Sequence, residues 1–299
     1  MESVELFEAA RPRLVSLAHR IVGSRHDAED AVQTAWLRLS AADPAETAEV
    51  ANLEGWLTTV TARVCLDLLR TRRRRGELPL LPDDLPAHRI GADEAFLRRE
   101  DVSRALLVLL GELSPRQRVA YVLHDLFAVP FEDVAAVLGT STDAAKKLAS
   151  RARIRLRDAR PGHQGGGDAG HPGQPGHAEV VEAFLAAARG GDIARLTALL
   201  APGAVRRADP RLLPAGAPAE VRGAAAIAEE TATFLDRIAV AASVLVGGRP
   251  GAVIAPGGHP YALVRFRVAA GRVAEIDIAP YTAGVVGSAL AAGAAPRGR

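Results

Sequence analysis

Apolar residues recur at helical spacing between Pro130 and Arg157, in two short segments. The first segment places Phe131, Val134 and Leu138 on one face, and Gly139 follows where helices often end in a left-handed residue. The second segment repeats apolar residues at i, i+3, i+4, i+7 and i+11, namely Ala145, Leu148, Ala149, Ala152 and Leu156. The pattern predicts a helix-turn-helix.

The outer face of the second predicted helix carries mainly hydroxyl and cationic side chains. They are Ser141, Thr142, Lys146, Lys147, Ser150, Arg151 and Arg153. A basic helix that follows a tight turn suits the major groove of DNA, although many basic amphipathic helices are plain surface helices. Ile154 does not fit a purely solvated face, and an apolar contact with a thymine methyl would account for it.

An amphipathic segment near the amino terminus, Ser24 to Leu39, predicts a helix with a polar outer strip. Ser24 with Asp27 three residues later resembles a capping box. The apolar positions form one face, and Asp27, Asp30 and Gln33 are left on the outside. Such a strip suits a protein partner, and it is also typical of a solvated helix face.

A second amphipathic segment, Leu53 to Arg75, ends with five arginines in six residues. Its apolar side would pack on the preceding helices. Its polar side would offer cations and a carboxylate to a phosphate backbone, the candidates being Arg63, Asp67, Arg70, Arg72 and Arg73.

Two stretches rich in Gly and Pro divide the chain. They predict units at 1–75 and 93–159 with a linker at 76–92, then a linker at 160–177, a unit at 178–283 and a poorly ordered tail at 284–299. The three histidines of the second linker lack cysteine or acidic partners at ligand spacing, so no metal site is expected. A Gly-rich linker of that length would span about 23 Å, giving an effective concentration on the order of millimolar between the units it joins.

The pattern changes after Ala178 from helices alone to helices followed by strands. Alternating apolar and polar residues around Ala270-Gly271 predict a β-hairpin. An α+β unit of this order can enclose a pocket. The candidates for its polar lining are Asp209, Arg222, His259, Tyr261, Arg265, Arg267 and Asp277. The strand residues among them fit the solvated face of the sheet equally well.

Composition narrows the classes of protein. The 299 residues are 48% apolar, the net charge is +2 and there is one cysteine, so sizeable cores are expected and a disulfide framework within the monomer is not. The first residues lack the cationic and apolar regions of a signal peptide, and no apolar run approaches the ~18 residues of a membrane span. A cytoplasmic location without membrane contact is expected.

Three motifs in order resemble regions 2 and 4 of extracytoplasmic-function (ECF) sigma factors of bacterial RNA polymerase. They are DAEDAVQTAWLRL, GWLTTVTARVCLDLLRTRRRR and the segment from LSPRQRVAYVL to ASRARIRLR. The segment from Ala178 to Tyr281 resembles the SnoaL-like cone. The implied fold is multidomain, with two all-α sigma domains, the second a helix-turn-helix, followed by an α+β SnoaL-like cone.

The resemblance implies a sigma factor that binds core polymerase and directs promoter-specific initiation. Asp27, Asp30 and Gln33 would dock on the β′ clamp helices, and region 4 would meet the β flap. The loop at 40–52 would capture a flipped base of the −10 element, and the polar side of the arginine-rich helix would hold that strand. The outer face of the helix-turn-helix would contact the −35 duplex.

For the C-terminal unit, the resemblance implies a regulatory domain that contacts the sigma regions in cis. No cofactor is implied, and no local motif supplies the poised base and oxyanion donor that isomerase chemistry needs, so the chain is not expected to be an enzyme. The alternative function is a ligand-sensing transcription regulator, or an isomerase-like pocket enzyme, fused to a helical DNA-binding module.

Overall fold

The computed structural model describes residues 2–42, 52–75, 87–100, 103–159 and 176–287. The chain divides into two compact units, residues 1–156 and residues 157–299. The helical segments predicted at 1–75 and 93–159 both lie, up to residue 156, in the first compact unit. The reason is that the helices of the second segment pack directly on those of the first.

In the described ranges 2–42 and 52–75, this unit forms α1 (Glu2–Val22), α2 (Arg25–Ala41) and α3 (Leu53–Arg74). Helix α2 begins where the sequence predicts, because the Ser24 hydroxyl accepts a hydrogen bond from the Asp27 amide at 3.4 Å. Asn52 caps α3 in the same way, with the Gly55 amide 2.9 Å from its side-chain oxygen. The apolar faces of the three helices form a shared core that includes Leu14, Leu17, Ile21, Ala28, Ala35, Leu57 and Leu66.

The described residues between 87 and 159 form α4 (Ala87–Arg99), α5 (Arg104–Gly111), α6 (Pro115–Tyr121), α7 (Phe131–Leu138) and α8 (Thr142–Asp158). A short π-helical turn, Val122–Leu126, extends α6. Helix α4 begins inside the stretch predicted as a linker, 76–92. Buried Phe96 and Leu97 anchor this helix in the core. The Pro and Gly content of the segment does not predict where such a helix begins.

Within residues 176–287, the second unit has four α-helices and a six-stranded sheet. The helices are α9 (His177–Arg189), α10 (Ile193–Leu199), α11 (Ala224–Thr233) and α12 (Leu235–Ala239). The strands are β1 (Leu200–Ala208), β2 (Glu220–Arg222), β3 (Ala241–Val246), β4 (Arg249–Ile254), β5 (Ala262–Ala269) and β6 (Arg272–Pro280), in the spatial order β2-β1-β6-β5-β4-β3.

The predicted hairpin is confirmed as the pair β5 and β6. Ala270 and Gly271 form its two-residue turn with φ of 50° and 70°, so both adopt the positive φ that a type I′ turn requires. Glycine adopts this conformation without strain, and Ala270 is one of two non-glycine residues with positive φ in the described part of the chain.

Helices α9 to α11 cover one face of the sheet and form the core of the second unit. Phe184 of α9 meets Phe266 of β5 edge to face, with ring centroids 5.4 Å apart. The predicted fold class, all-α regions followed by an α+β unit, is confirmed. The start of the predicted tail is ordered, since Val286 is buried and pairs with Val246 of β3, while residues 288–299 lie outside the described residues.

Candidate nucleic-acid interface

Helices α7 and α8 form the predicted helix-turn-helix. Gly139 ends α7 with φ 59° and ψ 53°, the left-handed conformation expected there. The Ser141 hydroxyl then accepts a hydrogen bond from the Ala144 amide at 3.2 Å and so caps the start of α8. The inward stripe of α8 is buried at Ala145, Ala149, Ala152 and Leu156. The fold therefore presents the opposite side of α8 to solvent.

The predicted DNA-contacting residues lie on that exposed side of α8. Lys146, Lys147, Ser150 and Arg151 are exposed, whereas Thr142 is half-buried. Ser141 is exposed as well, but its hydroxyl already serves as the helix cap. Ile154 is 48% exposed, an unusual place for a large apolar residue on a solvated helix.

Arg153 differs from the other cations of α8 because it has an internal partner. Its Nε forms an ion pair with Asp125, whose side chain is only 18% exposed. This pair ties α8 to the π-helical turn. Lys146 lies over the ring of Phe131 at 6.0 Å from its centroid, within the range of a cation–π contact. Lys147 and Arg151 are therefore the cations of the predicted set best placed to meet phosphates.

The polar side of α3 carries Arg63, Asp67, Arg70 and Arg73, all of them exposed as predicted. Arg63 Nη2 donates to the carbonyl oxygen of Ala136 on α7 at 2.9 Å. Asp67 and Arg70 form an ion pair one helical turn apart at 3.4 Å. The segment predicted to hold a nucleic-acid strand is thus exposed, but one of its cations is engaged with the helix-turn-helix.

Arg72 and Asp27 depart from their predicted positions. Arg72 Nη2 lies 2.7 Å from Asp27 Oδ2, and the two side chains are only 21% and 18% exposed. The sequence placed Asp27 on the outer strip of α2 and Arg72 on a nucleic-acid surface. The pairing corrects both placements, because each charge neutralises the other where α2 meets α3.

Asp30 and Gln33 do lie on the exposed side of α2, as predicted. Asp30 is 3.6 Å from the Nε2 atom of His26 one turn earlier, in a pair whose side chains are both well exposed. These two residues remain available to a protein partner. The loop at 40–52, predicted to take a flipped base, falls mostly outside the described residues.

A basic concavity of about 640 Å³ lies between α3 and the start of α6. Its lining residues are Asp67, Arg70, Arg73, Arg74, Ser114, Pro115 and Arg116. Four guanidinium groups and one carboxylate give this groove a positive potential, which favours phosphate. The sequence pattern does not reveal Arg116, because its neighbours on α3 are more than forty positions away.

Arg118 is a second residue that the sequence did not reveal. It is 9% exposed, and its guanidinium donates to the carbonyl oxygens of Ile21 and Leu110, each at 2.6 Å. These carbonyls belong to the last turns of α1 and α5, where carbonyl oxygens lack the backbone N–H donor found four residues on inside a helix. Arg118 therefore caps two helices at once and fixes α6 to both.

Cys65 is buried in the core of the first unit. Burial, with a smaller contribution from the negative charge of Asp27, raises the pKa of this thiol to about 12 from 9.0. The thiol is therefore protonated at neutral pH and poorly nucleophilic. Within the described residues, no group of three or more His, Cys, Asp or Glu side chains is placed to hold a metal ion.

The second unit encloses an apolar cavity of about 110 Å³ between the sheet and helices α9, α11 and α12. Of the predicted lining residues, Tyr261 reaches this cavity, and the other six do not. Arg265 pairs with Asp277 at 3.4 Å across β5 and β6, and Arg222 pairs with Glu220 at 2.7 Å. Because side chains alternate along a strand, these residues fall on the exposed face of the sheet, opposite the helices.

Asp209 also lies away from the cavity. Its carboxylate accepts hydrogen bonds from the amide and the side chain of Arg211, at 2.8 to 3.0 Å. These bonds, with the charge of Arg211, lower the pKa of Asp209 to about 2 from 3.8. The role of Asp209 in the structure is thus to stabilise the 3₁₀ turn at Pro210–Leu212.

The polar residues that do line the cavity include Arg206, Glu230 and Arg237. Arg206 and Glu230 form a two-pronged ion pair in which the side chains are 5% and 17% exposed. Arg206 also donates to the carbonyl oxygens of Pro218 and Ala219 at 3.0 and 3.1 Å. The Glu230 carboxylate is therefore held by a cation and is poorly suited to act as a free base.

Two protein-family descriptions match the first unit. Sigma-70 region 2 matches residues 6–75, and Sigma-70, region 4 matches residues 103–156. The matched segments contain α3 and the helix-turn-helix respectively. In the described part of the chain, no helix combines the length and the apolar character needed to cross a membrane.

Curated relatives match a longer part of the chain. The ECF RNA polymerase sigma factor SigJ of Mycobacterium tuberculosis is 43% identical over 204 residues, covering 67% of this chain and 62% of SigJ. The probable ECF RNA polymerase sigma factor SigI of the same species is 34% identical over 214 residues, covering 69% of each chain. The match thus spans less than two thirds of SigJ and slightly more than two thirds of SigI.

Among solved structures, the crystal structure of the M. tuberculosis extracytoplasmic function sigma factor SigJ is 34% identical. The match covers 93% of this chain and 96% of the SigJ chain, with a TM-score of 0.45.

Proposed function

Since the chain belongs to the ECF sigma factors, we propose that it binds core RNA polymerase and directs promoter-specific initiation of transcription. The observation that carries this proposal is the exposed cationic side of α8, set on a capped helix-turn-helix. Lys147 and Arg151 would contact the −35 duplex, with Lys146 and Ser150 beside them. A protein acting on promoter DNA would work in the cytoplasm.

The −10 strand would lie along the polar side of α3 and enter the basic concavity. Arg70 and Arg73 line that groove together with Asp67, and their guanidinium groups suit the backbone phosphates of a single strand. Arg72 is left out of this surface because Asp27 holds it. The segment 40–52 would take up the flipped base, as the family resemblance implies.

The surface for polymerase would consist of Asp30 and Gln33 on α2. Their exposed carboxylate and amide suit the basic residues expected on the β′ clamp helices, and region 4 would meet the β flap. Asp27 would support this surface from within, since its bond to Arg72 fixes the first turn of α2 to α3.

The second unit would act on the sigma regions in cis and would not catalyse a reaction. Its only cavity-lining carboxylate in the described part of the chain is Glu230, which is bound to Arg206. The linker predicted at 160–177 would keep the two units at a high effective concentration, so a weak contact would be populated.

Transcription reconstituted with bacterial core polymerase on a promoter library tests the main proposal. The full-length chain should give promoter-specific initiation, and Asp30→Arg with Gln33→Ala should abolish both initiation and polymerase binding. Glu5→Arg reverses an exposed charge on α1 and serves as the matched control. If initiation survives the double change, the polymerase-binding surface lies elsewhere on the chain. If the wild-type chain gives no initiation, the proposal is wrong.

Cis regulation is tested with a protease site placed within residues 164–167. Cleavage leaves both units present but ends their covalent attachment, so initiation should change on cleavage and recover at high concentrations of the separated second unit. The uncut variant is the control for the insertion itself. Equal activity before and after cleavage would contradict regulation through the tether.

A further inference from the structure

The cavity of the second unit is apolar apart from a few polar groups, and among the described residues only one of its cations has no acidic partner. Arg206 is neutralised by Glu230, and the Thr231 hydroxyl donates to the carbonyl of Ile227 at 2.6 Å. Arg237 forms no ion pair with any described residue. Its Nη1 donates to the carbonyl oxygen of Leu212, which anchors one side of the guanidinium.

Aromatic rings hold Arg237 in place. Its guanidinium carbon lies 5.6 Å from the centroid of Phe234 and 5.9 Å from that of Tyr261. All three side chains line the cavity. Because Nη1 is already bonded, the Nε and Nη2 edge is the part of the guanidinium left to receive a planar anion such as a carboxylate, through two parallel hydrogen bonds.

The volume limits the size of an occupant. An apolar cavity of about 150 Å³ holds one benzene molecule, and pockets for drug-sized ligands start at about 300 Å³. The 110 Å³ cavity is smaller than the benzene-binding one, so a short branched chain or a single aromatic ring is the largest apolar group to consider. Phe184, Phe266, Ile276 and Ile278 provide apolar walls for such a group.

We propose that this cavity binds a small aromatic or branched monocarboxylate, with the apolar group among the phenylalanine and isoleucine side chains and the carboxylate on Arg237. The site would serve as a ligand sensor. The inference rests on the second unit alone and stands independently of the sigma activity proposed above.

A matched set of probes tests the proposal on the full-length protein by calorimetry and ligand-observed NMR. Phenylacetate combines the ring with the carboxylate, phenylacetamide keeps the shape without the charge, benzylamine carries the opposite charge, and acetate lacks the ring. Phenylacetate should bind at least about tenfold more tightly than phenylacetamide, as expected for bonds to a charged group. Benzylamine and acetate should show no binding in the same range.

Variants then separate the cation from the cavity. Arg237→Gln should reduce phenylacetate binding to the level of phenylacetamide and leave the amide unchanged, while Arg237→Lys should retain part of the preference. Arg195→Gln removes an exposed arginine away from the cavity and should change nothing. Equal binding of phenylacetate and benzylamine, undiminished binding to the Arg237→Gln protein, or no binding of any probe at millimolar concentration would overturn the proposal.

Discussion

The Arg63 guanidinium on α3 donates a hydrogen bond of 2.9 Å to the carbonyl oxygen of Ala136 on α7. A cation proposed to hold the −10 strand is therefore bound, in the free chain, to the first helix of the helix-turn-helix. Arg118 of α6 makes a second connection between the two regions, through the carbonyl oxygen of Ile21 on α1. Both bonds oppose separation of regions 2 and 4 within the first unit.

Removing the Arg63 bond should loosen α7. We expect Arg63→Ala to raise amide hydrogen exchange of residues 131–138 about fivefold, because an exposed hydrogen bond contributes about 1 kcal/mol. Arg70→Ala, one to two turns along the same helix, should leave exchange in α7 unchanged. Equal exchange in the two variants would show that the bond does not restrain α7.

The Asp27–Arg72 pair should contribute to folding rather than to direct DNA contact. Asp27→Asn and Arg72→Gln should each lower the free energy of unfolding by about 1 to 3 kcal/mol, and the double variant should cost less than the sum. Urea titrations of the full chain, followed by the fluorescence of Trp36 and Trp56, measure this coupling. Additive losses would indicate that the two charges act separately.

Lys147 and Arg153 should differ in their effect on promoter DNA although both lie on α8. Lys147→Ala should lower the slope of log affinity against log salt concentration by about 0.9, as expected for one lost phosphate contact. Arg153→Ala should change that slope less, because Asp125 already pairs with Arg153. Fluorescence anisotropy of labelled −35 duplex with the reconstituted holoenzyme, across a range of KCl concentrations, gives both slopes.

If Arg153→Ala lowers the salt slope more than Lys147→Ala does, the ion pair between Arg153 and Asp125 breaks on DNA binding. Arg157→Ala removes a cation near the end of the same helix and serves as a control for general charge. Its side chain pairs with the neighbouring Asp158 at 3.2 Å.

Cys65 should be unreactive in the native protein. Its pKa of about 12 keeps the thiol protonated at pH 8, so a disulfide reagent should label it only after urea unfolding. The unfolded thiol ionises near pH 8.5. Because the folded pKa is raised, the stability linked to this thiol is fully present below that pH and is lost as the pH rises towards 12. Fast labelling of the native chain would contradict the burial, and Cys65→Ser provides the blank.

Local patterns in the sequence were enough to predict the helix-turn-helix and the final hairpin. The stripe of α8, the left-handed Gly139 and the Ala270-Gly271 turn each depend on residues close together in the chain. Periodicity also located the exposed cations of α3 and α8. These features are fixed by helix and strand geometry, which repeats over a few residues.

The remaining residues of the sites depend on pairing between distant segments. Arg206 and Arg207 are adjacent, and alternation places them on opposite faces of β1. Only the sheet topology reveals that Arg206 faces the helices while Arg207 lies with Glu220 on the exposed face. Arg118 and Asp27 likewise meet partners 97 and 45 residues away. Their charge alone gave no sign of burial.

Breaking the Arg206–Glu230 pair should lower the stability of the second unit more than breaking its other described ion pairs. Arg206→Met leaves the Glu230 carboxylate without its cation at the edge of an apolar cavity, and breaking a buried pair in this way costs about 3 to 5 kcal/mol. Glu230→Gln should cost less, because Arg206 retains the carbonyl oxygens of Pro218 and Ala219. The double change Arg206→Met with Glu230→Leu should recover part of the loss, since no charge remains buried.

Arg265→Met supplies the matched control for this prediction. Arg265 and Asp277 form a pair of the same chemistry on the same sheet, but their side chains are 43% and 56% exposed. An exposed pair contributes less than about 1 kcal/mol, because water screens the charges. Thermal unfolding of the full chain should therefore show a large fall in the transition of the second unit for Arg206→Met and almost none for Arg265→Met. Equal shifts would mean that position in the fold does not determine the contribution of these arginines.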